Sequence, residues 1–110
     1  MQFTAIRRLA AALALTAPLA GCSFVDLTPG GDKVRVLSLN EVGRCTLLGR
    51  VSSNTKASIG FIARSKEAVQ EEVNRLSRNN AADMHGDTIV PLGPLIDGEQ
   101  GFNVYRCINP

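Results

Sequence analysis

The chain has no tryptophan, one tyrosine and one histidine among its 110 residues. With four phenylalanines besides, it has little aromatic area from which to build a core. The single histidine means that a Ser/His/Asp or Cys/His relay would have to be assembled around His85 alone. No glycine-rich stretch has the spacing of a P-loop or a dinucleotide fingerprint, so no cofactor motif is present. No Cys-x-x-Cys occurs, which removes the usual redox pair and the ribbon type of zinc site. A surplus of one charge is missing too. Twelve Lys and Arg stand against ten Asp and Glu, and Arg7 and Arg8 belong to a leader described next, so ten stand against ten after it. Nucleic-acid binding depends on a basic patch that neutralises phosphates, and nucleic acid is therefore excluded as a partner.

What the sequence does have is a patterned start. Residues 1–8 end in Arg7-Arg8, residues 9–17 are an unbroken run of Leu, Ala and Thr, and Leu19-Ala20-Gly21-Cys22 follows. This is the layout of a signal peptide over residues 1–21. The apolar run is too short to remain as a spanning helix, which takes about 20 residues. Ala20 and Gly21 fit a narrow protease pocket, and Cys22 then supplies a thiol for acylation. Leu19-Ala20-Gly21-Cys22 resembles the lipobox of bacterial lipoproteins. The resemblance implies a diacylglyceryl thioether on Cys22, cleavage before it, and a mature chain anchored to an envelope membrane. Each buried CH2 contributes about 0.8 kcal/mol, so two or three long chains exceed what stable anchoring requires. Ser23, rather than Asp, follows the cysteine, and by resemblance to the sorting rule of enteric bacteria this points to the outer membrane, with the domain in the periplasm.

The chain has three cysteines. If Cys22 carries lipid, Cys45 and Cys107 remain as an even pair in an oxidising compartment, and a structural disulfide is expected between them. It closes a loop of about 60 residues, for which the chain-entropy model gives roughly 4 kcal/mol. A redox-active pair or metal ligation are the rival uses of these two thiols.

Residues 22–32, with Pro29-Gly30-Gly31, read as a lipidated terminus and flexible tether, and residues 33–110 as one folded domain. Residues 34–39 are rich in strand formers, and Asn40-Glu41-Val42-Gly43 offers a turn into a second strand, so a first hairpin is expected. In that second strand Cys45, Leu47, Gly49 and Val51 alternate with Thr46, Leu48, Arg50 and Ser52, which places Cys45 with the core-facing set. Ile59-Gly60-Phe61-Ile62 is a small apolar cluster that could pack under the sheet or face a partner. Ser65 is placed to cap a helix of about residues 66–82, with Glu67 in its first turn. Ala68, Val69, Val73 and Leu76 form its apolar stripe, and Glu71, Glu72, Arg75 and Arg78 its wet side. His85-Gly86 supplies a stop. Residues 88–92 and 102–107 read as third and fourth strands around a long turn.

The expected fold class is α+β: a small two-layer domain in the order β-β-α-β-β, with a mixed four-stranded sheet, one amphipathic helix on one face and one disulfide. The helical crossover predicts that the second and third strands run parallel and the others antiparallel. One helix covers one face. The other face must be polar, be covered by irregular segments, or self-associate.

This order resembles a family of small proteobacterial lipoproteins described as a domain of unknown function, and more distantly the Rcs-type envelope-stress lipoprotein. The residues that carry the resemblance are the lipobox, Cys45, Asn80-Ala81-Ala82 at the helix end, Gly86-Asp87-Thr88-Ile89-Val90, and Tyr105-Arg106-Cys107. It implies a mixed αβ domain in the envelope and no established activity. The Rcs-type relatives carry two disulfides in the domain, whereas this chain has cysteines for one.

No catalytic constellation emerges, and a non-enzymatic protein acting through protein contacts is the leading expectation. Asp83, His85 and Asp87 alternate closely enough to suggest a metal site, although such residues in a loop are usually solvated turn formers. A ligand- or metal-binding module lined by those three, or by residues 59–62, is the alternative.

Overall fold

The computed structural model describes residues 25–60 and 62–110. Cys22 and the leader lie outside the described residues. The elements in chain order are helix α1 (Pro29–Asp32), β1 (Arg35–Val36), a 3-10 turn (Leu39–Glu41), β2 (Thr46–Asn54), β3 (Ser58–Ile59), β4 (Ile62–Ala63), helix α2 (Lys66–Asp83), β5 (Thr88–Pro91) and β6 (Glu99–Arg106). A four-stranded mixed sheet with one main helix makes the α+β domain expected from the sequence.

The helix forms where its signals lie. Ser65 Oγ accepts the Ala68 N–H at 3.1 Å, satisfying one of the amides that a helix start leaves without a partner. Val69, Val73, Ser77 and Ala81 recur every four residues and are buried against the sheet. At the other end His85 takes φ 64°. Its N–H donates to the Ala82 carbonyl and the Gly86 N–H to the Ala81 carbonyl, both at 2.9 Å, the paired bonds of a Schellman stop. A side chain at Gly86 would collide with Val104, so glycine there serves close packing of the turn on the sheet.

The strand order is β1-β5-β6-β2, and it differs from the expected one. β1 and β2 do not pair. β1 instead runs parallel to β5, with Arg35 opposite Thr88, while β5 and β2 each run antiparallel to β6. The first hairpin is therefore absent, and the one parallel pair joins β1 to β5. Segment 37–45 explains this. Its apolar residues Leu37 and Val42 are drawn onto Val90 and Tyr105, so the chain crosses the sheet instead of turning back beside β1. Ser38 N–H donates to Glu41 Oε1 at 3.0 Å and holds the start of that crossing.

The sheet thus has two cores. Under α2 lie Val34, Val73, Ala81, Ile89, Phe102 and Val104, with Leu48, Val51 and Met84 packed against them. On the opposite face Val42, Val90 and Tyr105 are buried, flanked by Leu37, Cys45 and Cys107. The part of this face beyond the crossing segment is polar, with Arg50 opposite Asn103 and Asn54 opposite Glu99. Polar residues and an irregular cover both serve, in different halves of one face.

Cys45 does not share the helix-side face with Gly49 and Val51. The register of β2 shifts between Leu47 and Gly49, a bulge in which Leu48 is the extra residue. One extra residue reverses the alternation, so Leu47 opposes Tyr105 on the disulfide side while Val51 opposes Phe102 on the helix side.

The glycines read as a tether also have a different use. Thr28 Oγ1 accepts the Gly31 N–H at 3.0 Å, with Pro29 at the first helical position of α1. A side chain at Gly31 would collide with Asn79 Oδ1, and one at Gly30 would lie 3.1 Å from Ala82 Cβ. Here glycine permits close approach of the chain to α2, and residues 26–32 are part of the folded unit.

Candidate functional site

Cys45 and Cys107 are joined by a disulfide, with Cα atoms 4.3 Å apart and the two residues 62 positions apart in sequence. The bond ties the start of β2 to the end of β6 beside Val42 and Tyr105. Asp87 completes this corner. Its Oδ1 accepts the Cys107 N–H at 2.8 Å and the Thr88 hydroxyl at 2.9 Å, and its Oδ2 accepts the Ile108 N–H at 2.9 Å. Burial works to raise the Asp87 pKa, but the Ile108 and Cys107 amides, the Thr88 hydroxyl and Arg35 together hold it below the usual carboxylate value.

These bonds decide the use of Asp83, His85 and Asp87. Both oxygens of Asp87 are committed to the chain's own donors, Asp83 and His85 are exposed, and His85 serves the helix stop through its backbone. Among the described residues no group of three His, Cys, Asp or Glu side chains is brought close enough to hold a metal ion.

The concave surface lies at the other end, beside the first turns of α2. An open groove of about 610 Å³ runs between Lys66, Glu67, Gln70, Glu71 and Asn74 on the helix and Pro94 and Leu95 on the β5–β6 connection, with Gln100 of β6. A ladder of amides forms its floor. Gln70 Nε2 donates to Asn74 Oδ1 at 2.9 Å and to Gln100 Oε1 at 2.7 Å, and Gln100 Nε2 donates to the Gly93 carbonyl at 2.8 Å. A second groove of about 570 Å³ shares Pro94 and Gln100 and continues past Leu92 and Ile96. Such a surface offers hydrogen-bonding amides, the charges of Lys66, Glu67 and Glu71, and apolar walls.

One feature of this end departs from the sequence reading. Glu72, assigned to the wet face of the helix, is buried at 7% exposure. Its Oε2 lies 2.5 Å from Arg64 Nη2, and Arg64 Nη1 also donates to the Lys56 carbonyl at 3.1 Å. The pair fixes the β3–β4 hairpin to the helix. Glu71, next in sequence, does face water and pairs with Arg75 one turn on. The period of the helix separates the two glutamates, since Glu72 is three residues from the buried Val69 whereas Glu71 is two from it. Of the apolar cluster at residues 59–62, Phe61 lies outside the described residues; Ile59 pairs opposite Ile62 and Ser58 opposite Ala63 in the β3–β4 hairpin, and Ile62 is 75% exposed.

Fold and site together define a small disulfide-closed α+β domain with a polar-floored groove. The chain belongs to the family described as Domain of unknown function (DUF4156), whose model matches residues 25–107. That span begins at Val25 and so takes in the segment docked on α2. No curated protein and no solved structure matches the chain. No helix among the described residues is long and apolar enough to cross a membrane.

Proposed function

We propose that this protein is an envelope lipoprotein anchored through lipid on Cys22, in the outer membrane with its domain in the periplasm, acting by contact with other proteins and without catalysis. The observation that carries the reading is the pairing of Cys45 with Cys107. It accounts for two of the three cysteines and leaves Cys22, at the end of Leu19-Ala20-Gly21-Cys22, outside that pair, and a structural disulfide suits an oxidising compartment. The open groove of amides, charged side chains and apolar walls supports a binding role. The likeness to the Rcs-type lipoprotein belongs to this proposal as a statement about compartment, since the single disulfide departs from that type.

Mass spectrometry of the protein extracted from membranes tests the anchor. The expected species begins at Cys22, carries fatty acyl chains and stays with the membrane through a high-salt wash. An unacylated, freely soluble mature chain would overturn the reading. Crosslinking in intact cells tests the contact role, with a reproducible protein partner expected. A purified domain that retains a specific small molecule and shows no such partner would count against it.

A further inference from the structure

The docked N-terminal segment constrains how the domain sits. Asn79 Nδ2 donates to the Asp26 carbonyl at 2.9 Å, and its Oδ1 accepts the Thr28 N–H at 2.9 Å and the Thr28 hydroxyl at 3.1 Å. Arg78 adds bonds from Nε to the Val34 carbonyl at 2.8 Å and from Nη2 to the Asp32 carbonyl at 3.1 Å. Residues 26–34 are thus strapped to α2. Asn79 lies two residues from both Ser77 and Ala81, hence about 200° around the helix from each. Those two side chains face the sheet, so the strap is fastened on the side of α2 turned away from it.

Four residues lead from Asp26 back to Cys22, a reach of at most about 14 Å. Passing around α2, about 10–12 Å across with its side chains, and then the sheet behind it takes more chain than that. Resting on the proposed acylation of Cys22, we infer that the domain lies with the outer side of α2 against the lipid surface and with the disulfide-bearing face of the sheet turned away from it. Charge does not set this orientation. At intervals of four the outer stripe runs Glu67, Glu71, Arg75, Asn79 and Asp83. Glu71 and Arg75 pair with each other, but the exposed Glu67 and Asp83 leave the stripe net negative. It is the short tether, against some repulsion by anionic lipid, that would hold this side to the surface.

The absence of tryptophan makes single-tryptophan reporters clean. Glu71→Trp reports on the outer side of α2, and Leu47→Trp, 57% exposed and opposite Tyr105, reports on the disulfide face. Each full-length acylated variant is reconstituted in vesicles of phosphatidylethanolamine and phosphatidylglycerol containing a headgroup spin-labelled lipid. The expected result is quenching several-fold stronger at position 71 than at position 47. Equal quenching, or stronger quenching at 47, in protein shown by mass to be acylated would overturn the orientation and leave the anchor standing. An unacylated mass would remove the anchor instead. Inserting about ten Gly and Ser residues between Ser23 and Phe24, ahead of the described residues, adds roughly 15–20 Å of reach. The contrast between the two reporters should then disappear, and its persistence would show that the short tether is not what sets the orientation.

Discussion

The two faces of the sheet are closed by different means. Between α2 and the sheet, Phe102, Ile89, Val104 and the helix's own Val73 are fully buried, and the helix is their main cover, with Met84 and Leu95 packed beside it. On the other face three buried side chains, Val42, Val90 and Tyr105, lie beneath an irregular crossing of the chain, and a covalent bond holds its end. Where apolar area is plentiful, burial suffices at about 25 cal/mol per Å². Where it is scarce, the cross-link offsets the shortfall by restricting the unfolded chain. The smaller core is the one that needs sulfur.

Four measurements break or sharpen this contrast. Phe102→Ala, at the centre of the helix-side core, should cost about 3–5 kcal/mol. That is a large part of the stability of a domain this size, and it should appear as a much lower midpoint in denaturant unfolding. The double change Cys45→Ala and Cys107→Ala should cost about 2–4 kcal/mol. Hydrogen exchange should then show protection falling first at Val42 and Leu37 while Val73 and Ala81 in α2 keep theirs. Simultaneous loss at both sets would mean that the two faces are one cooperative unit. Asp87→Asn should cost about 1.5–3 kcal/mol, because an amide NH2 cannot accept the N–H that a carboxylate oxygen takes. The Asp87 pKa is lower in the folded state, so its contribution is present above the unfolded value of about 3.9 and is lost as pH falls through the folded one. An acid titration of stability should show a decline below about pH 4 that is shallower in Asp87→Asn. His85→Gly has the smallest expected effect, a gain of up to about 1 kcal/mol, since glycine takes the left-handed position at no steric cost. A thermal melt that drops in this variant would show that the imidazole makes a contribution of its own.

Much of the fold was legible in local sequence. The helix and its Ser65 cap, the stop at His85-Gly86, the existence of the last two strands and the disulfide pairing all follow from spacing, caps and cysteine count, although the final strand, read at residues 102–107, begins at Glu99 inside what reads as a turn. What was not legible depended on which partner each segment finds. The run of strand formers at residues 34–39 shows extended chain equally well whether its neighbour is β2 or β5, and only the pull of Leu37 and Val42 onto Val90 and Tyr105 decides between them. The bulge at Leu48 leaves no mark in an alternating pattern that reads the same on either side. Gly30 and Gly31 look alike in a tether and in a close helix contact, and it is Asn79, about fifty residues away, that distinguishes the two. In the candidate site, Glu72 could have been separated from Glu71 by its position three residues after Val69, but its partner Arg64 could not have been inferred from spacing alone. The amide ladder of Gln70, Asn74 and Gln100 bore no signal of chemistry that would have drawn attention to it.

The strand order β1-β5-β6-β2 has a kinetic consequence. β5 and β2 meet only through β6, so until residues 99–106 have been made β2 has no sheet neighbour and β5 has only the two-residue β1, and Cys45 waits equally long for Cys107. A nascent chain therefore carries a capped helix and an unpaired β2 through most of its synthesis, with the sheet completed by a late insertion into its middle. Contacts this distant in sequence fold slowly, and the same property keeps the polypeptide unfolded for as long as its C-terminal strand is withheld.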